Sequence, residues 1–483
     1  MFPFDHIIAI DKESKVSVYK QIASAIIYAI GTGTLKAGTH LPGSRELAKS
    51  LGVHRKTVGA AYEELNAQDW VTILPRKHVS VSGAIIPTLK AKRWNDPDIG
   101  NSFGIKFGLP FQVIDADLKK ANKDCAQRAV IDDGHPDRRL SPIDELLKNY
   151  RSFTSRKSIV KYTHTIDEKG TLLLRKELVK YLSLTRGMNI DEDNLLITHG
   201  AQMSIYLASC LLLKAGTNIV VGKPNYPAAN KTFIESGANL IEVSVDKNGI
   251  QTDQVEALCK TNKITAVYVI PHHHYPTTAV LSIERRMKLL ELSKQYEFAI
   301  IEDDYDYDYH YTSSAFLPLA SANHSGNVIY VGSFSNILDR SFRIGFMVAP
   351  KNFIEQSCSL RKLIDRAGDS YMQDALAILI RDGELNRHLK KTKKIYHQRR
   401  NFVDSLLKEK LSEYVIYTLA PGGMSIWIKL KYSYKIDRLA AHPLLDILQF
   451  DIEENAFRFG FASMNEQELV ILVELLESIF INF

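Results

Sequence analysis

The chain has 483 residues, of which 45% are hydrophobic and 24% charged, a composition that suits a globular protein with more than one core. Lys and Arg number 61 against 55 Asp and Glu, a net charge of only +6, so overall charge neither requires nor excludes nucleic acid and local distribution must decide. Four scattered cysteines (Cys125, Cys210, Cys259, Cys358) exclude a cysteine zinc ribbon and argue against a disulfide framework. No basic segment leads into an apolar one at Met1 to Ile10, and no apolar run reaches the ~18 residues of a membrane span. The expectation is a cytoplasmic protein without membrane contact.

Three short helical patterns open the chain. Val18, Ile22, Ala25, Ile26, Ala29 and Ile30 recur at three- and four-residue steps, and Gly31 and Gly33 end that helix. A second helix starts after Leu41-Pro42-Gly43-Ser44, with Gly43 or Ser44 as cap, and stops at Gly52. The third runs from about His54 to Gln68 and buries Val58, Ala61, Tyr62 and Leu65. Trp70, Val71, Ile73, Val79 and Val81 then read as a two-stranded hairpin.

Three helices, a tight turn and a hairpin describe a winged helix-turn-helix, whose last helix places its first residues against base edges in the major groove. Those residues are His54, Arg55, Lys56 and Thr57; Arg45 on the preceding helix and Arg76 and Lys77 on the hairpin tip can reach phosphates. Residues 1–82 carry ten Lys/Arg against seven Asp/Glu, and Arg45, Lys49, Arg55 and Lys56 face only Glu46 in the turn region. The string LPGSRELAKSLGVHRKTVGAAYEEL, residues 41–65, resembles the GntR-type winged-helix family. It departs at Gly43, where that family places a capping serine, and at the wing, ILPRKHVSVS, which lacks a glycine-rich tip. The resemblance implies binding to double-stranded operator DNA.

Residues 83–117, with three prolines and no clean period, read as a tether. From 118 to 483, short β-rich runs alternate with helical patterns, which implies a mainly parallel sheet covered on both faces. Candidate strands are 195–198, 218–222, 239–245, 266–270, 299–302, 328–331 and 345–349. Ligands in such folds sit beyond the carboxyl ends of strands. The unusual strings follow those ends: His199-Gly200-Ala201-Gln202, Lys223-Pro224-Asn225-Tyr226-Pro227, PHHHYPTT (271–278), Asp303-Asp304-Tyr305-Asp306 and GSFSN (332–336), with Arg343 beyond.

Together with GHPDRRLSPIDELLKNYR, these strings resemble the aminotransferase-like domain of MocR-type regulators, which carry it behind a GntR-type reader. The fold implied is a multidomain α/β protein: a winged helix-turn-helix, then a pyridoxal 5′-phosphate (PLP)-dependent transferase fold with a seven-stranded, mainly parallel sheet and a small C-terminal α/β subdomain. The resemblance implies a homodimer that binds PLP. Tyr226 would stack on the ring, Asp303 pair with the ring nitrogen and Tyr305 bond its phenolic oxygen. Ala201, Gln202, Ser333, Ser335 and Arg343 would hold the phosphate, and Arg458 the carboxylate of an amino-acid effector.

Asn336 stands where the family carries its Schiff-base lysine. A carboxamide offers neither a nucleophilic amine nor a useful pKa, so transamination should be lost and any PLP held non-covalently. The reading is therefore a regulator that senses a small ligand, be it PLP, a PLP–amine adduct or an amino acid. An active aminotransferase with an accessory DNA-binding domain and a regulator with a ligand-free dimerisation scaffold are the alternatives. No metal is expected, since consecutive histidines (272–274) point different ways and acidic residues interleaved with tyrosines (303–308) suit solvation or helix ends.

Overall fold

The computed structural model describes residues 4–11, 14, 16–74, 78–83, 110, 132–155, 167–311, 317–431, 433–440, 442, 445 and 450–481. The chain divides into two compact units, Met1–Ile114 and Asp115–Phe483, parted within the stretch read as a tether.

In the first unit, helices α1 (Phe4–Ile7), α2 (Val18–Gly31), α3 (Ser44–Leu51) and α4 (Arg55–Ala67) pack with three short strands, β1 (His40–Leu41), β2 (Val71–Leu74) and β3 (His78–Val81). The apolar stripe of α2 buries Ile22, Ala23, Ile26, Ala29 and Ile30, and α4 buries Val58, Ala61, Tyr62 and Leu65 against it. Gly52 ends α3 at φ 63, a left-handed conformation that favours glycine, and so sets the tight turn into α4. The wing is a three-stranded sheet in the order β1-β3-β2, not a two-stranded hairpin, because His40 and Leu41 pair with Ser80 and Val79. Two residues carry no period, which hid β1 from sequence reading. The same holds for α1, which nonetheless buries Phe4 in this core. Arg76 and Lys77 lie outside the described residues.

The second unit holds two sheets. The larger orders its strands β4-β11-β10-β9-β8-β5-β6-β7: β4 (Leu195–Thr198), β5 (Asn218–Lys223), β6 (Asn239–Asp246), β7 (Gly249–Ile250), β8 (Ile264–Val269), β9 (Ala299–Asp304), β10 (Val328–Ser333) and β11 (Gly345–Val348). Six run parallel, while β11 and β7 are antiparallel. The expected seven strands are all present, and the eighth is the two-residue edge β7. Two cores, one on each side of the central strands, bury near-continuous apolar runs such as Ile219-Val220-Val221 and Ala266-Val267-Tyr268.

The smaller sheet, β12 (Val415–Tyr417), β13 (Ser425–Leu430), β14 (Phe450–Asp451) and β15 (Ala456–Gly460), is antiparallel in the order β12-β13-β15-β14. It packs on the helices Glu384–Lys410 and Glu466–Ile481 around Phe457, Phe459, Leu472 and Leu476.

The connections leaving β4, β5, β8, β9 and β10 converge at the carboxyl end of the parallel sheet. β11 passes beneath one of them: a Cβ at Gly345 would fall 2.5 Å from the Gly200 carbonyl carbon and 2.9 Å from the Ala201 nitrogen. Backbone cannot yield as a side chain can, so Gly345→Ala should displace the Gly200–Ala201 turn at a cost of about 1–3 kcal/mol. A thermal midpoint several degrees below wild type by circular dichroism is expected, and an unchanged midpoint would show that the turn has room.

Candidate ligand site and nucleic-acid interface

A cavity of about 260 Å³ opens where these connections meet. Ala201, Gln202, Tyr226, Asp303, Tyr305, Ser333, Ser335, Asn336, Arg343 and Arg458, drawn from positions more than 250 residues apart in sequence, all line it. Ala201 and Gln202 begin the helix Ala201–Leu212, whose first backbone N–H groups have no helical partner. Gly200 precedes that helix at φ 77, and a Cβ there would meet Arg343 Nη2 at 2.8 Å. Glycine is therefore required both for the backbone angle and for the guanidinium's approach. Arg343 Nη2 donates to the His199 carbonyl at 3.3 Å. The Ser335 hydroxyl and Gln202 Oε1 are buried without a hydrogen-bond partner.

The end of β9 concentrates four buried carboxylates: Glu302, which burial pushes up to about 8, and Asp303, Asp304 and Asp306. Glu302 accepts the Leu319 and Ala320 N–H groups, both at 2.8 Å. Asp304 takes the Tyr330 hydroxyl at 2.7 Å and faces His272, and Asp306 faces His273 Nδ1 at 2.9 Å. Only Asp303 among these four lines the cavity. Its Oδ2 accepts the Tyr268 hydroxyl at 2.6 Å, and its Oδ1 is buried without a partner. Burial, reinforced by the charges of Asp304 and Asp306, pushes this carboxyl up to about 7 against the Tyr268 hydrogen bond. An N–H cation opposite Oδ1 would reverse that shift.

Tyr226 is half-buried and meets Tyr275 edge-on, with ring centroids 5.4 Å apart. The Tyr305 hydroxyl donates to the His273 carbonyl at 2.7 Å and accepts from Arg458 Nη2 at 3.0 Å. Arg458 is 1% exposed. It donates from Nε to the Asp133 carbonyl (2.7 Å) and from Nη1 to the Pro276 carbonyl (2.9 Å), and lies over the Tyr275 ring at 4.8 Å. Three of its five N–H groups are engaged, so one remains on each terminal nitrogen.

Sequence reasoning missed Asp133, His135, Tyr275 and Arg340 in the lining. Tyr275 sits in the PHHHYPTT string and was within reach of that reading. Arg340, in an irregular loop after β10, gave no periodic signal. With Arg343 and Arg458 it makes three guanidiniums against the carboxylates of Asp133 and Asp303, a balance that suits an anionic ligand. Among the described residues no lysine lines the cavity. His272 and His273 pair with different carboxylates, and among the described residues no His/Cys/Asp/Glu group is placed to hold a metal.

In the first unit, Arg45, His54, Arg55 and Lys56 are exposed and Thr57 is half-buried. His54 stands just before α4 as its cap, its Nδ1 accepting the Lys56 N–H at 3.2 Å, so one ring nitrogen serves the helix. Arg55 Nε donates to the Ser44 hydroxyl at 3.4 Å, and the Tyr62 hydroxyl donates to the Pro42 carbonyl at 2.7 Å. These bonds fix α4 against the start of α3. Among the described residues no helix is long and apolar enough to cross a membrane.

Residues 136–476 match the family model described as aminotransferase class I and II, and residues 18–81 match that of the bacterial regulatory proteins of the gntR family. The HTH-type transcriptional regulator TauR of Rhodobacter capsulatus is 27% identical over 88% of this chain and 86% of its own length. A Rhizobium meliloti protein named "Probable rhizopine catabolism regulatory protein MocR" is 25% identical over 87% and 83%. Among solved structures, kynurenine aminotransferase of Pyrococcus horikoshii superposes with a TM-score of 0.66 at 25% identity, covering 74% of this chain and 92% of that one. The unpartnered Asp303 Oδ1 and Ser335 hydroxyl, the free helix N-terminus and the arginines fit the flat, anionic PLP of such folds.

The raised Asp303 carboxyl has a consequence for stability. The folded chain holds this proton up to about pH 7, whereas the unfolded chain releases it near 3.8. The group's contribution to stability therefore falls as pH rises through that window and does not recover above it. Asp303→Asn removes the penalty. The variant should melt above wild type at pH 8, with the gap closing toward pH 4.5, in differential scanning calorimetry without added ligand; a gap independent of pH would refute the assignment.

Proposed function

Because the chain belongs to the aminotransferase class I and II family and carries a GntR winged helix-turn-helix ahead of that domain, we propose that it is a DNA-binding transcriptional regulator whose large domain senses a small ligand without turning it over. Residues 1–82 read the operator, residues 83–117 tether the reader, and residues 118–483 hold the ligand and form a homodimer. Paired readers would engage paired half-sites, and ligand binding would shift the population of dimers whose readers are correctly spaced.

The carrying observation is Asn336. It lines a cavity that is otherwise chemically complementary to PLP, at the place where the family resemblance sets a lysine. Ala201, Gln202, Ser333, Ser335 and Arg343 would bind the phosphate, with Arg340 adding a second positive charge nearby. Asp303 would hold a proton on the ring nitrogen, Tyr226 would cover the ring face and Tyr305 would sit at the phenolic oxygen. The two remaining Arg458 N–H groups suit the carboxylate of an amino-acid effector. Bound PLP supplies a reactive aldehyde and an electron-withdrawing ring. Asn336 can neither attack that aldehyde nor accept a proton from a substrate carbon, so this chain's residues bind and orient but do not move the proton.

PLP titrated into the purified protein should therefore give a saturable, dialysable absorbance change, with no pyridoxyl mass retained on the chain after borohydride. A pyridoxyl adduct on a native lysine would restore the enzyme reading, and no spectral change would favour a ligand-free scaffold. Asn336→Lys should gain one borohydride-fixed pyridoxyl group per chain, by intact mass.

For the reader, Arg55→Ala should weaken binding to a duplex selected from a random pool by the wild-type protein. A loss of about 1–3 kcal/mol is expected with the oligomeric state unchanged, as measured by fluorescence anisotropy and light scattering. Equal affinity of variant and wild type would displace α4 from the groove.

A further inference from the structure

Residues Glu384–Lys410 form one 27-residue helix. It carries nine Lys/Arg against three Asp/Glu, a net of +6 that equals the net charge of the whole chain. The remaining residues balance one another, so the excess of positive charge is concentrated here. Most of the helix's cations serve the fold. Arg387 pairs with Glu384, Lys408 with Asp404, and Lys410 with Glu474 and Glu477. Arg399 is buried against Asp137, and Arg400 donates to the Ala420 carbonyl and lies over Tyr311.

Four lysines remain. Lys390, Lys391 and Lys394 are exposed and Lys393 is half-buried; among the described residues none of the four lies within ion-pair distance of a carboxylate. Leu385, Thr392, Tyr396, Val403 and Leu407 bury the opposite face of the same helix, which fixes the lysine face outward. Lysines three and four residues apart on a helix repel one another by a few tenths of a kcal/mol per pair, and the fold returns nothing for that cost. The repulsion reaches a neighbour: His397 is held below the usual imidazole range by burial and by the charges of Arg400 and Lys393. A bound polyanion would turn this repulsion into attraction.

We infer that the Lys390–Lys394 face is a second DNA-contacting surface, which grips the phosphate backbone of duplex DNA; the inference rests on the winged helix binding duplex. Duplex DNA is the polyanion that the chain's own reader holds at high local concentration. Lys390 and Lys394 stand ~6 Å apart along the helix axis, close to the rise of two base pairs. Gln398, Asn401 and Ser405 continue the exposed row with uncharged hydrogen-bonding groups, and the row from Lys390 to Ser405 covers about 22 Å. Side chains of these kinds read no sequence; they add affinity and make it salt-dependent.

The test uses the full chain and a labelled 60-base-pair duplex of mixed sequence, with affinity measured by fluorescence anisotropy from low to physiological salt. The variant K390Q/K391Q/K393Q/K394Q should lower the slope of log affinity against log salt by about 0.9 for each lysine that meets a phosphate. It should also lose at least about tenfold in affinity at low salt. The all-arginine variant at the same positions should keep both. K390Q/K391Q alone gives the same readout at smaller size should the fourfold variant melt early. Slope and affinity unchanged in the glutamine variant would overturn the inference and leave the face to an acidic protein or to solvent. Equal loss in the arginine variant would overturn it as well, since charge would then not be the cause.

Discussion

A carboxylate buried without a counter-charge governs the large domain. Asp303 sits at the end of a central strand, takes a single hydrogen bond from Tyr268 and leaves Oδ1 unpaired beside an open cavity. Its neighbours on the same strand and loop lie outside the cavity lining, with Glu302 bonded to two backbone N–H groups, Asp304 to a tyrosine and Asp306 to a histidine, and one oxygen each of Asp304 and Asp306 also lacks a hydrogen bond. Burial of an ionisable group costs stability unless something pairs with it. On the proposed reading, Asp303 is the cavity group whose burial cost a protonated heterocyclic nitrogen would offset.

The rest of the cavity follows from that placement. Strand β11 runs beneath the Gly200 turn closely enough to exclude any side chain, so the helix N-terminus and Arg343 are set against each other across a fixed gap. Tyr305 and Arg458 bond each other and the backbone, which presents acceptor and donor groups already oriented. Such preorganisation favours tight binding of a specific shape. Chemistry on that ligand needs a further group, an amine that bonds the cofactor and shuttles a proton, and Asn336 supplies neither. On the proposed reading, recognition is kept where turnover is given up, which is the division of labour expected of a sensor.

Most of this was legible in the sequence because it rests on local signals. The seven main strands are apolar runs bounded by turn residues, and the motif strings follow their carboxyl ends. Those strings hold eight of the expected lining residues, the family resemblance adds Arg343 and Arg458, and the structure brings all ten to one cavity. The two-residue strands β1 and β7 and the single-turn helix α1 were not legible, since each is too short for a period and exists through tertiary pairing. Arg340 was missed because only the fold brings that loop to the cavity. The partners of Tyr305 and Arg458 were likewise invisible, being each other and carbonyls of two segments distant in sequence. His54 shows a subtler limit: its position was clear, but its use as a helix cap depends on a rotamer that no pattern encodes.

On the proposed reading a reader of DNA is joined to a pocket that binds without reacting, and that pocket depends on the pairing of Asp303 with a ring nitrogen. The most direct measurement is the nitrogen-15 chemical shift of PLP labelled at the pyridine nitrogen and bound to the native protein. A shift in the pyridinium range at pH 8, lost in Asp303→Asn, is predicted. An unprotonated pyridine shift in the bound state of the native protein would contradict the account.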